Sequence, residues 1–428
     1  MAADIASTAH AATGTTTASG TTTAAVRPSV RIAAIDWMRG LVMILMIIDH
    51  ASMAFDGHHV SHDSAFYEDA TSMALPAGEF FTRWITHICA PTFIFLAGTA
   101  LALSIERRVA KGVDAWEIDK YIITRGAIIA LFDLTIISLG SGYLNLGVLL
   151  AIGLSMICMA FLRRLPTWGL LVLALGWMAF GEFITGQFWH PPGSAPPLAS
   201  FFLATGVAPP LTSIFTDAGA PGGVVNKYSL VPWLAIMMLG WVFGRHMTQW
   251  NAGKARLSPA KVLVVAGVAA LVIFVVVRGA AGYGDMFLNR TDGTWQQWLH
   301  VSKYPPSLTY CALELGLLWL CLALLMKIET VIGVRPNGVF LVFGQTAMFF
   351  YLVHRLVLEV PATYFGLRGV GDLSTTYIVS VIMLVLLYPL CRWFRTLKSA
   401  HPDSFLKYIP RSASPTVLHG DAQRVLQP

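Results

Sequence analysis

Charged residues are scarce in this sequence. Lys, Arg, Asp and Glu make up 12% of the 428 residues, whereas 56% are hydrophobic, and the mean hydropathy is +0.64. A soluble globular domain carries about 25% charged residues, so the composition excludes that class. The net charge of +6 comes from basic residues near the ends of apolar runs. Basic residues in these positions set membrane topology, so the charge does not indicate a nucleic-acid partner.

Cysteine is scarce too, and the motifs of several enzyme classes are missing. The five cysteines lie inside apolar runs without CxxC spacing, so neither a disulfide framework nor a zinc site is indicated. HExxH, GxSxG and phosphate-binding glycine loops are absent. His58, His59, His62 and Asp63 are chemically suitable zinc ligands, but they lack a standard spacing and are more typical of a solvated loop. We expect no metal.

Long apolar runs are what the sequence has instead. Runs of 18 or more apolar residues can each cross about 30 Å of hydrocarbon, and only helices satisfy their own backbone there. The sequence therefore predicts an all-α, polytopic membrane helix bundle of about ten transmembrane helices. The predicted spans are 33–55, 82–104, 121–140, 143–162, 167–185, 229–247, 260–279, 306–327, 338–360 and 373–395.

The basic residues orient this bundle. Placing both termini in the cytoplasm puts most of the 29 Lys and Arg residues inside, as the positive-inside rule requires of a cytoplasmic (inner) membrane protein. Residues 1–30, rich in Ala and Thr, are predicted to be a disordered tail. Residues 31–398 form the membrane domain, and residues 399–428 a cytoplasmic tail.

Three longer loops then face outward, at about 56–80, 186–228 and 280–305. They are rich in Trp, His and Tyr, which indicates that recognition takes place on the outer side. Gly240 and Gly244 form a GxxxG, which predicts close helix packing or, less often, a homodimer interface.

Ionisable residues at membrane depth are the candidate functional groups, because such residues are costly and usually line a cavity or pair. Arg39 and His50 lie 11 positions apart on one helical face, separated by roughly 16 Å along the axis. His50, His87 and His354 share the outer level. The alternative is a membrane helix with a charged inner end, and histidines that only pack.

Other polar residues predict local structure. Pro91 frees the carbonyl of His87 and should bend that helix. Arg355 and Glu359 can neutralise each other across one helical turn. Asp133 and Glu314 are candidates for buried partners of a cation or a histidine.

Five motifs in order resemble a known family. AIDWMRGLVMILMIIDH, THICAPTFIFLAGTAL, YSLVPWLAIMMLG, SKYPPSL and LVFGQTAMFFYLVH are similar to those of a bacterial membrane family grouped with the catalytic domain of heparan-alpha-glucosaminide N-acetyltransferase. The resemblance covers about residues 31–395. It implies transfer of an acetyl group from cytosolic acetyl-CoA to a glucosamine amine across the membrane. That enzyme's catalytic histidine aligns near 58–62.

A second resemblance concerns the first span. Family-three acyltransferases carry an Arg-Gly opening and a histidine eleven residues after that arginine, as Arg39 and His50 stand here. The resemblance implies that His50 is the catalytic base. Asp49 is then expected to hold its tautomer, and His87 or His354 to donate to the oxyanion or to replace His50 as base.

Arg39 and Arg125 are expected to bind the phosphates of CoA, unless they extend to lipid phosphates. The sequence thus predicts a membrane acyltransferase that uses acetyl-CoA or another acyl-CoA, with membrane lipids and a sugar or glycan acceptor as partners. The alternatives are a transporter, in which the polar face lines a path, and a non-catalytic scaffold.

Overall fold

A computed structural model describes residues 33–138, 144–208 and 223–401; both predicted tails fall largely outside them. The chain is a helix bundle, as predicted. Its helices are α1 (Ala33–Phe55), α2 (Ala77–Trp84), α3 (Cys89–Ala110), α4 (Ala115–Phe132), α5 (Val148–Leu162), α6 (Thr167–Gly186), α7 (Pro197–Phe202), α8 (Leu230–Asn251), α9 (Pro259–Ala280), α10 (Trp295–Leu299), α11 (Leu308–Ile332), α12 (Val339–Gln345), α13 (Ala347–Tyr364) and α14 (Leu373–Ala400).

The predicted number of spans, ten, is not confirmed. Within the described residues seven helical segments, counting α2 and α3 as one, are long and apolar enough to cross a membrane. An eighth forms if α12 and α13, which meet at a bend of 89°, are one span. The predicted spans 121–140 and 143–162 fall short. Helix α4 carries several charges before a π-helical turn (Asp133–Ile137), and α5 has only 15 residues.

Three short strands form a small sheet in the order β1-β3-β2. Strand β1 (Leu144–Leu146) runs parallel to β3 (Val224–Asn226), and β2 (Gly206–Ala208) runs antiparallel to it. The sheet ties the second predicted outer loop to the segment before α5.

The predicted outer loops meet at one end of the bundle. The carbonyl of Asp63 accepts from the amide of Lys303 at 2.9 Å, and the carbonyl of Phe66 accepts from the amide of Gly193 at 2.9 Å. At the opposite end, Arg245 of α8 pairs with Glu106 of α3 at 3.2 Å. The loops therefore segregate as the alternation of spans predicts.

The GxxxG of α8 packs within the chain. A Cβ atom on Gly240 would lie 2.0 Å from the carbonyl oxygen of Phe95 in α3, and one on Gly244 would lie 2.7 Å from the carbonyl oxygen of Thr99. The two helices thus touch through their backbones, which confirms the prediction of close packing. A homodimer stays a prediction and would need another surface.

The helix break after α2 also follows the sequence. Residues 85–88 form turns, and α3 begins at Cys89, two positions before Pro91. The carbonyl of His87 accepts from the hydroxyl of Tyr310 at 3.0 Å. A buried carbonyl that lost its helical donor thus gains one from α11.

Two glycines bring α12 against α1. A Cβ on Gly344 would lie 1.8 Å from the backbone oxygen of Asp36, and one on Gly40 would lie 2.0 Å from that of Phe340. Backbone atoms cannot move aside as flexible side chains can. We expect Gly344→Ala to lower the free energy of unfolding by about 1–3 kcal/mol, as overpacking does.

Denaturant unfolding in detergent, followed by tryptophan fluorescence, measures that loss. Gly176→Ala is the matched control, because Gly176 lies within α6 with nothing within 4 Å of its Cβ position. Equal stabilities for the two variants would contradict the close contact.

Candidate active site

His50 and His354, which the sequence places at one level, are in direct contact. Nδ1 of His50 lies 2.7 Å from Nε2 of His354, and the two rings stack with centroids 5.0 Å apart. His354 is fully buried on α13, whereas His50 is half-buried on α1.

The hydrogen bonds assign the tautomers of this pair. Nδ1 of His354 lies 2.8 Å from the carbonyl oxygen of Phe350. A carbonyl only accepts, so this nitrogen carries the proton, and Nε2 of neutral His354 must be an acceptor. His50 therefore donates through Nδ1. In neutral His50 the lone pair then lies on Nε2, the state that a general base requires.

A cleft runs from the predicted inner end of the bundle towards this pair. It encloses about 920 Å³, including its open mouth, and apolar residues of α3, α4, α5 and α13 form most of its wall. Arg39, Arg125 and Lys398 also line it, as does Tyr351. The Tyr351 ring lies 6.3 Å from that of His50 and 5.6 Å from that of His354, between centroids.

Both predicted phosphate-binding arginines thus line one cleft. Nη2 of Arg39 donates to the carbonyl of Leu96 at 3.1 Å, and Nη1 lies 3.4 Å from the carboxylate of Asp36. Arg125 donates to the hydroxyl of Tyr121 at 3.4 Å. These contacts hold each guanidinium at the cleft wall.

A second polar cluster surrounds Arg83 at the outer end. Its Nη1 donates to Asp49 Oδ1 at 2.5 Å, and its Nε and Nη2 donate to Asp63 Oδ2 at 2.9 and 2.6 Å. Nε2 of His87 lies 3.3 Å from the same Asp63 oxygen. Arg83, Asp63 and His87 are all buried. Asp49 therefore binds Arg83, and it is His354 that contacts Nδ1 of His50.

Electrostatics fix the charge of Asp63, which lies in the loop outside the spans. Burial alone would raise the pKa of this carboxyl, but Arg83 and then His87 outweigh burial and hold the pKa well below its ordinary value. The carboxylate is thus ionised at neutral pH.

The histidines of the first loop have separate environments. His58 is exposed, and His62 stacks on Tyr67 and lies 3.2 Å from Asp69. His59 instead lies beside the cluster, with Nδ1 2.8 Å from the hydroxyl of Ser52. Burial, with Arg83 nearby, lowers the pKa of His59 to about 4. No group of three or more metal-ligating side chains occurs in the described part of the chain.

Asp133 and Glu314, the candidates for buried partners of a cation or a histidine, form no ion pair within the described residues. Oδ2 of Asp133 accepts from the amide of Leu150 at 2.9 Å, so this carboxyl binds the N-terminus of α5. Oε1 of Glu314 makes no hydrogen bond with the described residues. Arg355 pairs with Glu359 at 2.5 Å, which confirms that prediction.

Sequence reasoning gave no role to Arg83, Lys303 or Tyr310. Lys303 lies in the family motif SKYPPSL, Tyr310 follows that motif by two positions, and Arg83 precedes the motif THICAPTFIFLAGTAL by three.

The family model for the catalytic domain of heparan-alpha-glucosaminide N-acetyltransferase matches residues 31–278, more than half of the chain. The chain belongs to this family. No curated protein matches the chain. The match to the heparan-alpha-glucosaminide N-acetyltransferase family includes the Arg83 cluster and the predicted site residues Arg39, Asp49, His50, His87 and Arg125; His354 lies beyond it.

Proposed function

We propose that this membrane protein transfers an acyl group, acetyl foremost, from cytosolic acyl-CoA to an amine or hydroxyl of a sugar on the outer side of the cytoplasmic membrane. One observation carries the proposal. The cleft that holds both predicted phosphate-binding arginines also contains Tyr351, whose ring contacts the His50–His354 pair. The cleft that holds the cations thus reaches Tyr351, which lies beside the base.

Each end of the cleft has a role in this reaction. Arg39 and Arg125 bind CoA phosphates by charge-assisted hydrogen bonds, and the apolar walls accept the pantetheine arm. His50 lies eleven positions after Arg39, or roughly 16 Å further along the helix. An extended pantetheine arm covers this distance, so the thioester lies near His50, and the CoA thiol leaves towards the cytoplasm.

The transfer step needs one base, which takes a proton from the acceptor and returns it to the leaving group. The acceptor nitrogen or oxygen bonds to the thioester carbonyl carbon, and its proton passes to Nε2 of His50. The C–S bond then breaks, and the CoA thiolate takes that proton, which regenerates neutral His50. His354 acts as a positioning residue, because it keeps the accepting lone pair on Nε2. Asp49 holds Arg83, and His87 stays a candidate oxyanion donor.

The test is binding of acetyl-CoA to purified protein in detergent, measured by calorimetry. We expect saturable binding, weakened tenfold or more in Arg125→Ala, because a hydrogen bond between charged groups contributes about 1.5–3 kcal/mol. Arg256→Ala is the matched control, since Arg256 is exposed between α8 and α9 and does not line the cleft. Circular dichroism shows that the variants are folded.

The alternatives predict other results. A transporter or a scaffold binds no acyl-CoA, so absence of binding with both acetyl-CoA and a longer acyl-CoA refutes the proposal. Equal weakening in Arg125→Ala and Arg256→Ala would show that the cleft is not the site. Release of CoA thiol with glucosamine as probe acceptor then reports the transfer itself.

A further inference from the structure

Lys303 is a buried cation whose hydrogen-bonding capacity is unused. The residue is 3% exposed. No hydrogen bond or ion pair joins its ammonium to any residue within the described ranges; the ammonium lies 5.3 Å from the centroid of the Tyr304 ring. An ammonium offers three donors, and these donors are available to a ligand.

The charge of Lys303 acts on both parts of the site. Its charge interacts with Asp49 and His50 on α1, with His87 in the turn before α3, and with Glu314 on α11. Three polar atoms of residues that interact with its charge make no hydrogen bond with the described residues: Asp63 Oδ1, His87 Nδ1 and Glu314 Oε1. The charge of Lys303 thus acts on the base and on members of the Arg83 cluster.

The backbone holds Lys303 in place. Its amide donates to the carbonyl of Asp63 at 2.9 Å. Upstream, the buried guanidinium of Arg278 donates to the carbonyls of Gln297 and His300 at 2.6 Å each and pairs with Asp285 at 2.8 Å. The loop before Lys303 is therefore anchored at several points, and a donor on a fixed loop needs little reorganisation during a reaction.

We propose that Lys303 is a further catalytic residue, whose ammonium binds the carbonyl oxygen of the acyl group and stabilises the negative charge that forms on it. This inference rests on the proposed function. When the acceptor bonds to the carbonyl carbon, the C=O π electrons move to oxygen. They return when the C–S bond breaks, and Lys303 keeps its protons throughout.

Charge balance alone is the structural alternative, because Asp49 and Asp63 together carry one charge more than Arg83 compensates. The two roles differ in the distance and geometry that they require of the charged group. A balancing charge works from a distance, and arginine replaces lysine. A donor to an oxyanion must lie at hydrogen-bonding distance, and the planar guanidinium presents its hydrogens differently.

The experiment compares Lys303→Met and Lys303→Arg with wild type, using release of CoA thiol from acetyl-CoA with glucosamine as probe acceptor. We expect folded Lys303→Met to bind acetyl-CoA as wild type does and to lose about 10²–10³ in kcat, as when one oxyanion donor is removed. Lys227→Met is the control, because that lysine contacts the same Tyr304 ring from 5.7 Å but is less buried.

Each possible outcome supports or refutes the role of Lys303. A folded Lys303→Met with kcat within threefold of wild type overturns the inference. Should Lys303→Met fail to fold, Lys303→Arg decides, since a tenfold or larger loss of kcat supports the donor and a wild-type kcat overturns it. Wild-type protein that neither binds acetyl-CoA nor releases thiol refutes the proposed function itself, and with it this role.

Discussion

Arg83→Met is expected to lower the free energy of unfolding by about 3–5 kcal/mol, the cost of removing one partner from a buried ion pair. Arg83 neutralises two carboxylates on different elements, Asp49 of α1 and Asp63 of the first loop. Methionine fills similar space but leaves both acids without their cation. Denaturant unfolding in detergent, followed by tryptophan fluorescence, measures the loss.

The loss should depend on pH. In wild type the cation holds the pKa of Asp63 well below its ordinary value. In Arg83→Met burial remains and only His87 and Lys303 still oppose it, so the pKa of Asp63 rises. The lowered pKa of the wild-type carboxyl contributes stability that is present above the unfolded pKa of about 3.9 and lost as pH falls, and the variant lacks much of this contribution. Arg83→Met should therefore be closer to wild type near pH 4 than at pH 8.

Two further variants test this reasoning. Arg368→Met is the control, because Arg368 is exposed after α13 and contacts only Thr363 in the described residues. Asp63→Asn in the Arg83→Met background should restore part of the stability, since it removes one uncompensated charge. If Arg83→Met unfolds like wild type at pH 8, the cluster does not hold α1 and the loop together.

Local spacing predicted the contacts that lie within or between regular helices. The Arg355–Glu359 pair follows from one helical turn, and the break at Pro91 follows from a missing amide. His50 and His354 could be assigned to one depth from the lengths of their spans. Their tautomers could not, because these depend on the 2.7 Å contact and on the Phe350 carbonyl.

The Arg83 cluster and Lys303 were beyond sequence reasoning. Asp63 and Lys303 lie in loops, and their meeting depends on how loops 240 residues apart fold against each other. The bend at Thr346 was missed for a similar reason. No proline precedes the bend. The chain changes direction between α12 and α13, next to the point where Gly344 packs against the backbone of α1. The predicted number of spans is not confirmed at α4, where Asp119, Lys120 and Arg125 lie on one helix that ends in a π-helical turn.

Replacing His50 by glutamine should have the largest effect on activity. Glutamine can still hydrogen-bond to His354, but it cannot take the acceptor's proton. We expect kcat to fall by about 10²–10⁴, the range for loss of a general base. The Kd for acetyl-CoA should stay near the wild-type value, because the phosphates bind at the other end of the cleft. Thiol release and calorimetry measure the two quantities.

His354→Gln and His59→Gln locate the base. If His354 only fixes the tautomer of His50, its loss should cost less than that of His50, because neutral His50 still exposes Nε2 for part of the time. His59 is the competing base, since it is half-buried beside Ser52 in the stretch where the family resemblance places the catalytic histidine. His246→Gln, on the predicted inner side, is the control. An active His50→Gln together with an inactive His59→Gln would move proton transfer from the first helix to the loop, and the cleft would then have to deliver the thioester beyond Tyr351.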